Sequence, residues 1–276
     1  MDPCRDPAVA GRFYTANPVQ LGSEVTRLIG NVTAAAPARA LVVPHAGYVY
    51  SGAVAGRGYR DVVVPQTAVV LCPNHTGLGA RCSIWASGCW RIPGAELEID
   101  ASLAASMIES SRSAGLRLEP DRLAHTHEHS AEVHLPFLRA RRPDVRIVPL
   151  CLARLSWAEC EALGKALAAI IAGRQKTGED VLVVASSDMS HYVSAATAHR
   201  LDHLALGRVE ALDPAGLLRV VAENDISMCG VIPTAVALVA ALELGANTAE
   251  ITAYGNSGQT SGDLHRVVGY AAAVIR

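Results

Sequence analysis

Three stretches carry side chains able to do chemistry at the end of an apolar run. His45 closes RALVVPHAG (39–47) and His75 closes QTAVVLCPNHTG (66–77). Asp188 and His191 close VLVVASSDMSH (181–191). Unbroken apolar runs ended by turn residues are the pattern of strands buried on both faces. In open α/β sheets, ligands sit at the carboxyl ends of the strands. The three ends therefore predict one site assembled from distant segments. Imidazole is the commonest protein ligand for transition metals, and a strand end holds it on a stiff element. His45 and His75, in matched Pro-(x)-His-x-Gly turns, are the first metal-ligand candidates; a plain turn hydrogen bond is the competing use. Asp188 and His191 lie three apart and would share one face of a helical turn. They could be acid–base partners, with Asp188 orienting the imidazole, or further metal ligands. Serine and aspartate at a strand-to-helix junction also cap helices without any catalysis. No G-x-S-x-G elbow accompanies the serines, which argues against a Ser-His-Asp hydrolase.

Two further clusters stand out. His125-Thr-His-Glu-His129 runs into Ser130-Ala-Glu132-Val-His134. Alternation would put His125, His127 and His129 on one face of an extended segment, whereas helical winding would pair Glu128 with Glu132. The cluster could support the main site, form a metal site of its own, or be an acid-rich helix start. Cys229 lies in MCGVIP at the mouth of a helix expected over 233–244. A helix N-terminus lowers a thiol's pKa and favours the thiolate, the ligand form. Burial as a small apolar side chain is the ordinary alternative. The other six cysteines read as structural.

The elements that must position these groups alternate. Helices are predicted over 18–29, 99–111, 130–141 (kinked or started near Pro136), 157–172, 195–211, 214–222 and 233–244. Strands are predicted over 40–44, 82–86, 89–92, 146–152, 181–185, 249–254 and 267–275. Residues 1–17 read as a lead-in with VAGRFY packed, and 51–59 as a run of small residues that permits close backbone approach. Alternating strands and helices, with no linker or fixed-period repeat, imply a single layered α/β domain over 1–276. Its central sheet would be largely parallel or mixed and flanked by helices.

Composition narrows the function classes. Half of the 276 residues are hydrophobic, 18% are charged and mean hydropathy is +0.24, so a large core or covered surface, such as an oligomer interface, is expected. A net charge of −2 offers no basic field for nucleic acid. No apolar run approaches the roughly 18 residues of a membrane span, and no leader plan is recognised at the start. Seven cysteines without a C-x-x-C pair argue against a disulfide framework or zinc ribbon and for a reducing cytoplasm.

VAGRFY, VPHAGYVYSG, LCPNHTG, EHSAEVHLPFL, SSDMSH, CGVIPT and the closing YGNSG…SGD…VVGYAA resemble, in that order, the Memo family. These proteins are similar to the mediator of ErbB2-driven cell motility, and the prokaryotic ones are called protein B of the AmmeMemoRadiSam system. The resemblance spans about residues 5 to 275. It implies a fold similar to that of class III extradiol (LigB-type) dioxygenases. It places metal-site residues on His45, His75 and Cys229, and the acid–base histidine on His191. The dioxygenases hold Fe(II) by two histidines and a carboxylate; a thiolate third ligand is softer and favours copper or zinc more. The expectation is a metal-binding pocket for Fe(II) first, then Cu or Zn, with redox chemistry on a small molecule. Tyr48, Tyr50 and Glu128 are its expected polar lining. Two alternatives stay open: a zinc hydrolase, and a non-catalytic adaptor with a retained pocket that takes a peptide or partner. The resemblance also implies AMMECR1-like and radical SAM proteins as partners.

Overall fold

The computed structural model describes residues 4–113 and 115–276. The first three residues of the expected lead-in lie outside the described residues. In chain order the elements are β1 (Cys4–Arg5), α1 (Pro18–Ile29), β2 (Ala40–Val43), α2 (Tyr48–Arg60), β3 (Thr67–Pro73), β4 (Cys82–Ile84), β5 (Cys89–Ile92), β6 (Ala95–Glu98) and α3 (Ala101–Ser113). Next come β7 (Glu119–Pro120), α4 (Leu123–Thr126), a 3-10 turn (Glu132–His134), α5 (Leu135–Arg141), β8 (Arg146–Leu152), α6 (Trp157–Gln175) and β9 (Val181–Ser186). The chain closes with β10 (His191–Val193), α7 (Ala195–Glu210), α8 (Pro214–Glu223), α9 (Val231–Glu243), β11 (Ala249–Asn256), α10 (Gly258–Ser261) and β12 (Val267–Ile275).

The central sheet has the order β10-β12-β2-β9-β3-β8-β4-β7, with β11 paired to β12. The run β2, β9, β3, β8 is parallel, while β12 and β4 are antiparallel to their inner neighbours β2 and β8. The sheet is mixed with a parallel heart, as the strand–helix alternation implies. Side chains alternate between its faces. Leu41, Val43, Val70 and Leu182 pack with α1, α2 and α5, whereas Val42, Val69, Leu71 and Val183 pack with α3, α6 and α9. Because both faces are covered, the strands read as continuous apolar runs. Helix α6 starts with a capping box between Ser156 and Glu159 and packs closely on α9. A Cβ at Gly164 would come within 2.6 Å of Val239, so glycine is required at that crossing. A smaller sheet of β1, β5 and β6 flanks the structure.

Several local expectations change. Helix 130–141 is a 3-10 turn followed by α5, with Pro136 in the first turn where its missing N–H has no cost. The segment after Asp188 is extended rather than a helical turn, and it pairs with β12. The small-residue run 51–59 forms most of α2. A Cβ at Gly52 would fall 2.8 Å from Leu28, so its small side permits close packing on α1. The cysteines hold one pair after all: Cys4 is disulfide-bonded to Cys89, tying β1 to its parallel neighbour β5. A separation of 85 residues leaves no local spacing signal for that pair. No described helix is long and apolar enough to cross a membrane.

Candidate metal centre

Adjacency in the sheet explains the convergence. Strands β2, β9 and β3 are parallel neighbours, so the turns after them emerge on one edge. Cys229 arrives there from the loop before α9. It comes close because Gly230 follows it: a Cβ on Gly230 would collide with the Ser186 carbonyl oxygen and with Ser187. His45 Nε2 lies 3.3 Å from Cys229 Sγ, and the His45 and His75 ring centroids are 5.1 Å apart. The donor atoms of His45, His75 and Cys229 all lie within 4.8 Å of one another, although 184 positions separate the first from the last.

Each imidazole is anchored through Nδ1. His45 is 2% exposed; its Nδ1 is 2.7 Å from Ser186 Oγ, and its backbone N–H donates to Asp188 Oδ1 at 2.8 Å. His75 donates its backbone N–H to Glu128 Oε2 at 2.6 Å, and its Nδ1 meets Glu128 Oε1 at 2.9 Å. Both Nε2 atoms are thereby left for another partner. Histidines that ligate metals characteristically hydrogen-bond a carboxylate, carbonyl or similar group through the other ring nitrogen. Two Nε2 atoms and a thiol sulfur fit a metal whose bonds run about 2.0–2.3 Å.

The electrostatics agree with a site for a cation. Burial, then the neighbouring histidines, push the His45 pKa down, so its imidazole is neutral. Burial would lower His75 too, but its bond and charge interaction with Glu128 raise it. Burial would raise Glu128, yet His75 and Ser130 hold it at about 2, a fixed carboxylate behind the histidine. Burial raises Asp188 to about 6. Cys229 corrects the sequence expectation. Its thiol pKa is raised, by burial and then by the Asp188 charge, because the thiol is desolvated two residues before α9 begins. Any thiolate there depends on a bound cation rather than on the helix terminus.

The histidines floor an open cleft of about 670 Å³ that His129, Asp188, His191 and Tyr50 also line. His129 lies 4.9 Å from the His75 ring and 5.4 Å from His45. The other expected residues divide. Tyr48 is buried away from the cleft, where its hydroxyl donates to the Val133 carbonyl at 2.6 Å. Glu128 is fully buried behind His75, hydrogen-bonded to it, and is not part of the cleft wall. Asp188 does not orient His191: the extended backbone carries the imidazole to the Ser227 carbonyl, 2.9 Å from Nδ1. Tyr192 beside it has φ 61, an uncommon conformation for an aromatic residue. The histidine cluster is not one face. Helix α4 turns His125 into the core between Trp85 and Trp90, where burial lowers its pKa to about 3, and His127 points to solvent. No local sequence pattern points to Ser186 or Arg5, and the pattern around His129 leaves its role open. Arg5 donates to the His125 and Glu128 carbonyls and to the Glu132 carboxylate, each at 2.7 Å, and so clamps the loop that carries Glu128.

A three-layer α/β protein with two imidazoles and a thiol gathered at the carboxyl edge of its sheet is thus defined by geometry alone. Comparison with known proteins agrees in extent. The family model described as Memo-like protein matches residues 5–274. The chain is 37% identical to a MEMO1 family protein of Methanopyrus kandleri, covering 99% of each. It is 36% identical to one of Methanothermobacter thermautotrophicus, covering 97% of this chain and 98% of that protein, and 36% identical to one of Aquifex aeolicus, covering 98% of each. The chain belongs to the Memo family.

Proposed function

We propose that the protein binds a transition metal through His45 Nε2, His75 Nε2 and Cys229 Sγ, and that the cleft presents a small molecule to it for redox chemistry. The carrying observation is the convergence of three donors with both Nδ1 atoms already engaged. Iron(II) is the first candidate, on the dioxygenase-like fold that the Memo resemblance implies, and the thiol makes copper or zinc competent as well. The metal would supply Lewis acidity and, if iron or copper, electron transfer at the cleft floor. The chain's own groups would handle protons. His191, whose Nδ1 donates to the Ser227 carbonyl, lines the cleft and would be the acid–base group there. Burial lowers the His129 pKa, so its neutral ring is a second acceptor beside His75.

The test loads anaerobically purified protein with Fe(II), Cu(I) or Zn(II) and measures stoichiometry, then follows oxygen uptake with catechols. One metal per chain, lost in His45→Ala, His75→Ala and Cys229→Ser variants that remain folded, is the expected result. Unchanged binding in all three variants would overturn the assignment. Zinc retention with hydrolytic turnover and no oxygen uptake would replace redox chemistry with hydrolysis. Absence of any turnover with metal bound would favour a binding protein.

A further inference from the structure

Behind the metal-binding edge, the Ser186 hydroxyl joins three buried groups. Its oxygen lies 2.6 Å from the Ser130 carbonyl oxygen, 2.7 Å from His45 Nδ1 and 2.8 Å from His134 Nε2. Ser186, Ser130 and His134 are wholly buried, so water does not compete. The position is built into the sheet, because Ser186 ends β9 directly opposite Val43 of β2, two residues before His45.

Counting protons at this junction has one solution. A hydroxyl has one proton and two lone pairs, and a carbonyl oxygen only accepts. The Ser186 proton therefore goes to Ser130, leaving two lone pairs for two imidazole nitrogens. Each of those nitrogens must donate. His45 then carries its proton on Nδ1, and Nε2, the atom facing Cys229 Sγ, is bare. Burial lowers the His134 pKa to about 3, consistent with a neutral ring that donates through Nε2 alone.

We propose that Ser186 is a positioning residue that fixes His45 in its metal-ligating tautomer, with His134 as the second donor that stops the hydroxyl from rotating. The inference rests on the reading of His45 as a ligand. It assigns to a neutral serine the task that Glu128 performs for His75. The nearest alternative is Asp188, but that carboxylate accepts the His45 backbone N–H rather than its ring. The two ligands thus differ in kind: one is backed by a full negative charge, the other by a dipole.

Two measurements separate this inference from the metal assignment. In metal-free wild-type protein, long-range ¹H–¹⁵N NMR should show His45 protonated on Nδ1 and His134 on Nε2. In Ser186→Ala the His45 tautomer should become mixed, and Zn(II) affinity should fall about 10–100-fold, the usual effect of losing such a supporting partner. Ser186→Thr keeps the oxygen and should restore both signals, with thermal unfolding recorded for each variant. His45 protonated on Nε2 in the wild type would overturn the proposal, whether or not Ser186→Ala folds. So would undiminished Zn(II) affinity in folded Ser186→Ala, or equal losses in the Ala and Thr variants. If wild-type protein binds none of Zn(II), Fe(II) and Cu(I), the metal assignment fails, and the tautomer spectrum still decides the positioning claim.

Discussion

Two buried aspartates sit at opposite ends of the parallel strands and differ in their company. Asp100, 1% exposed, lies at the amino ends of β3 and β8. Arg174 reaches its two oxygens at 2.8 and 3.1 Å, Arg146 one of them at 3.3 Å, and Thr67 donates at 3.0 Å. Burial would raise its pKa, but the Leu103 amide and Arg174 hold it at about 2. Asp188, 5% exposed, follows β9 at the carboxyl end. It accepts the His45 amide and has no arginine or lysine partner among the described residues; burial raises it to about 6. The first is a charge network closed on itself. The second stands beside the gathered donors of His45, His75 and Cys229, an arrangement a cation would complete. Polar density alone does not mark a site; what each buried carboxylate is paired with does.

The sharpest way to break that contrast is to remove each carboxylate. Asp100→Ala should cost about 3 kcal/mol of stability in denaturant unfolding, the lower end for a broken buried pair because Arg146 keeps a third of its side chain in water. Its metal affinity should not change. A variant that loses metal but not stability would erase the distinction. Next in size, Glu128→Gln should weaken Zn(II) about 10–100-fold by calorimetric titration, since His75 loses a charged partner while keeping an acceptor.

The pH dependence should have opposite signs at the two ends. Asp100 has a folded pKa below the unfolded value of about 3.9, so its contribution is present above that value and lost as pH falls toward about 2. Asp188 has a folded pKa above the unfolded value. Its contribution is present below about pH 4 and lost as pH rises through about 6. Urea unfolding of metal-free protein should show Asp188→Asn flattening only the upper window; an effect confined to the lower one would contradict the contrast. The smallest effect is assigned to His191→Ala. Metal content should be intact by elemental analysis, because His191 is held by Ser227 rather than by the donor set. Loss of metal would make His191 a ligand.

Much of the frame was legible in the sequence because buried parallel strands write apolar runs and end in turn residues. That is why the turns of His45, His75 and Asp188 could be assigned to one edge before the strand order was known. The place of Cys229 before a helix only nominates it; the family resemblance selects it, and the structure gathers it with the two histidines. What the chain could not disclose was what each side chain meets across the sheet. Tyr48 follows the His45 turn like Tyr50, yet helical winding sends one ring into the core and the other to the cleft. The Asp188–His191 pairing assumed a helical turn, and pairing of β10 with β12 imposed an extended one. A helix terminus would favour the Cys229 thiolate, but desolvation outweighs it. Arg5 and Ser186 act through partners 123 and 141 positions away, and no local spacing announces such contacts.

X-ray absorption on the metal-loaded protein tests the donor set most directly. Two imidazole nitrogens at about 2.0–2.1 Å and one sulfur at about 2.3 Å are expected, with the sulfur shell absent in Cys229→Ser. A first shell of nitrogen and oxygen alone in the wild type, or a sulfur shell that survives Cys229→Ser, would contradict a centre built from His45, His75 and Cys229.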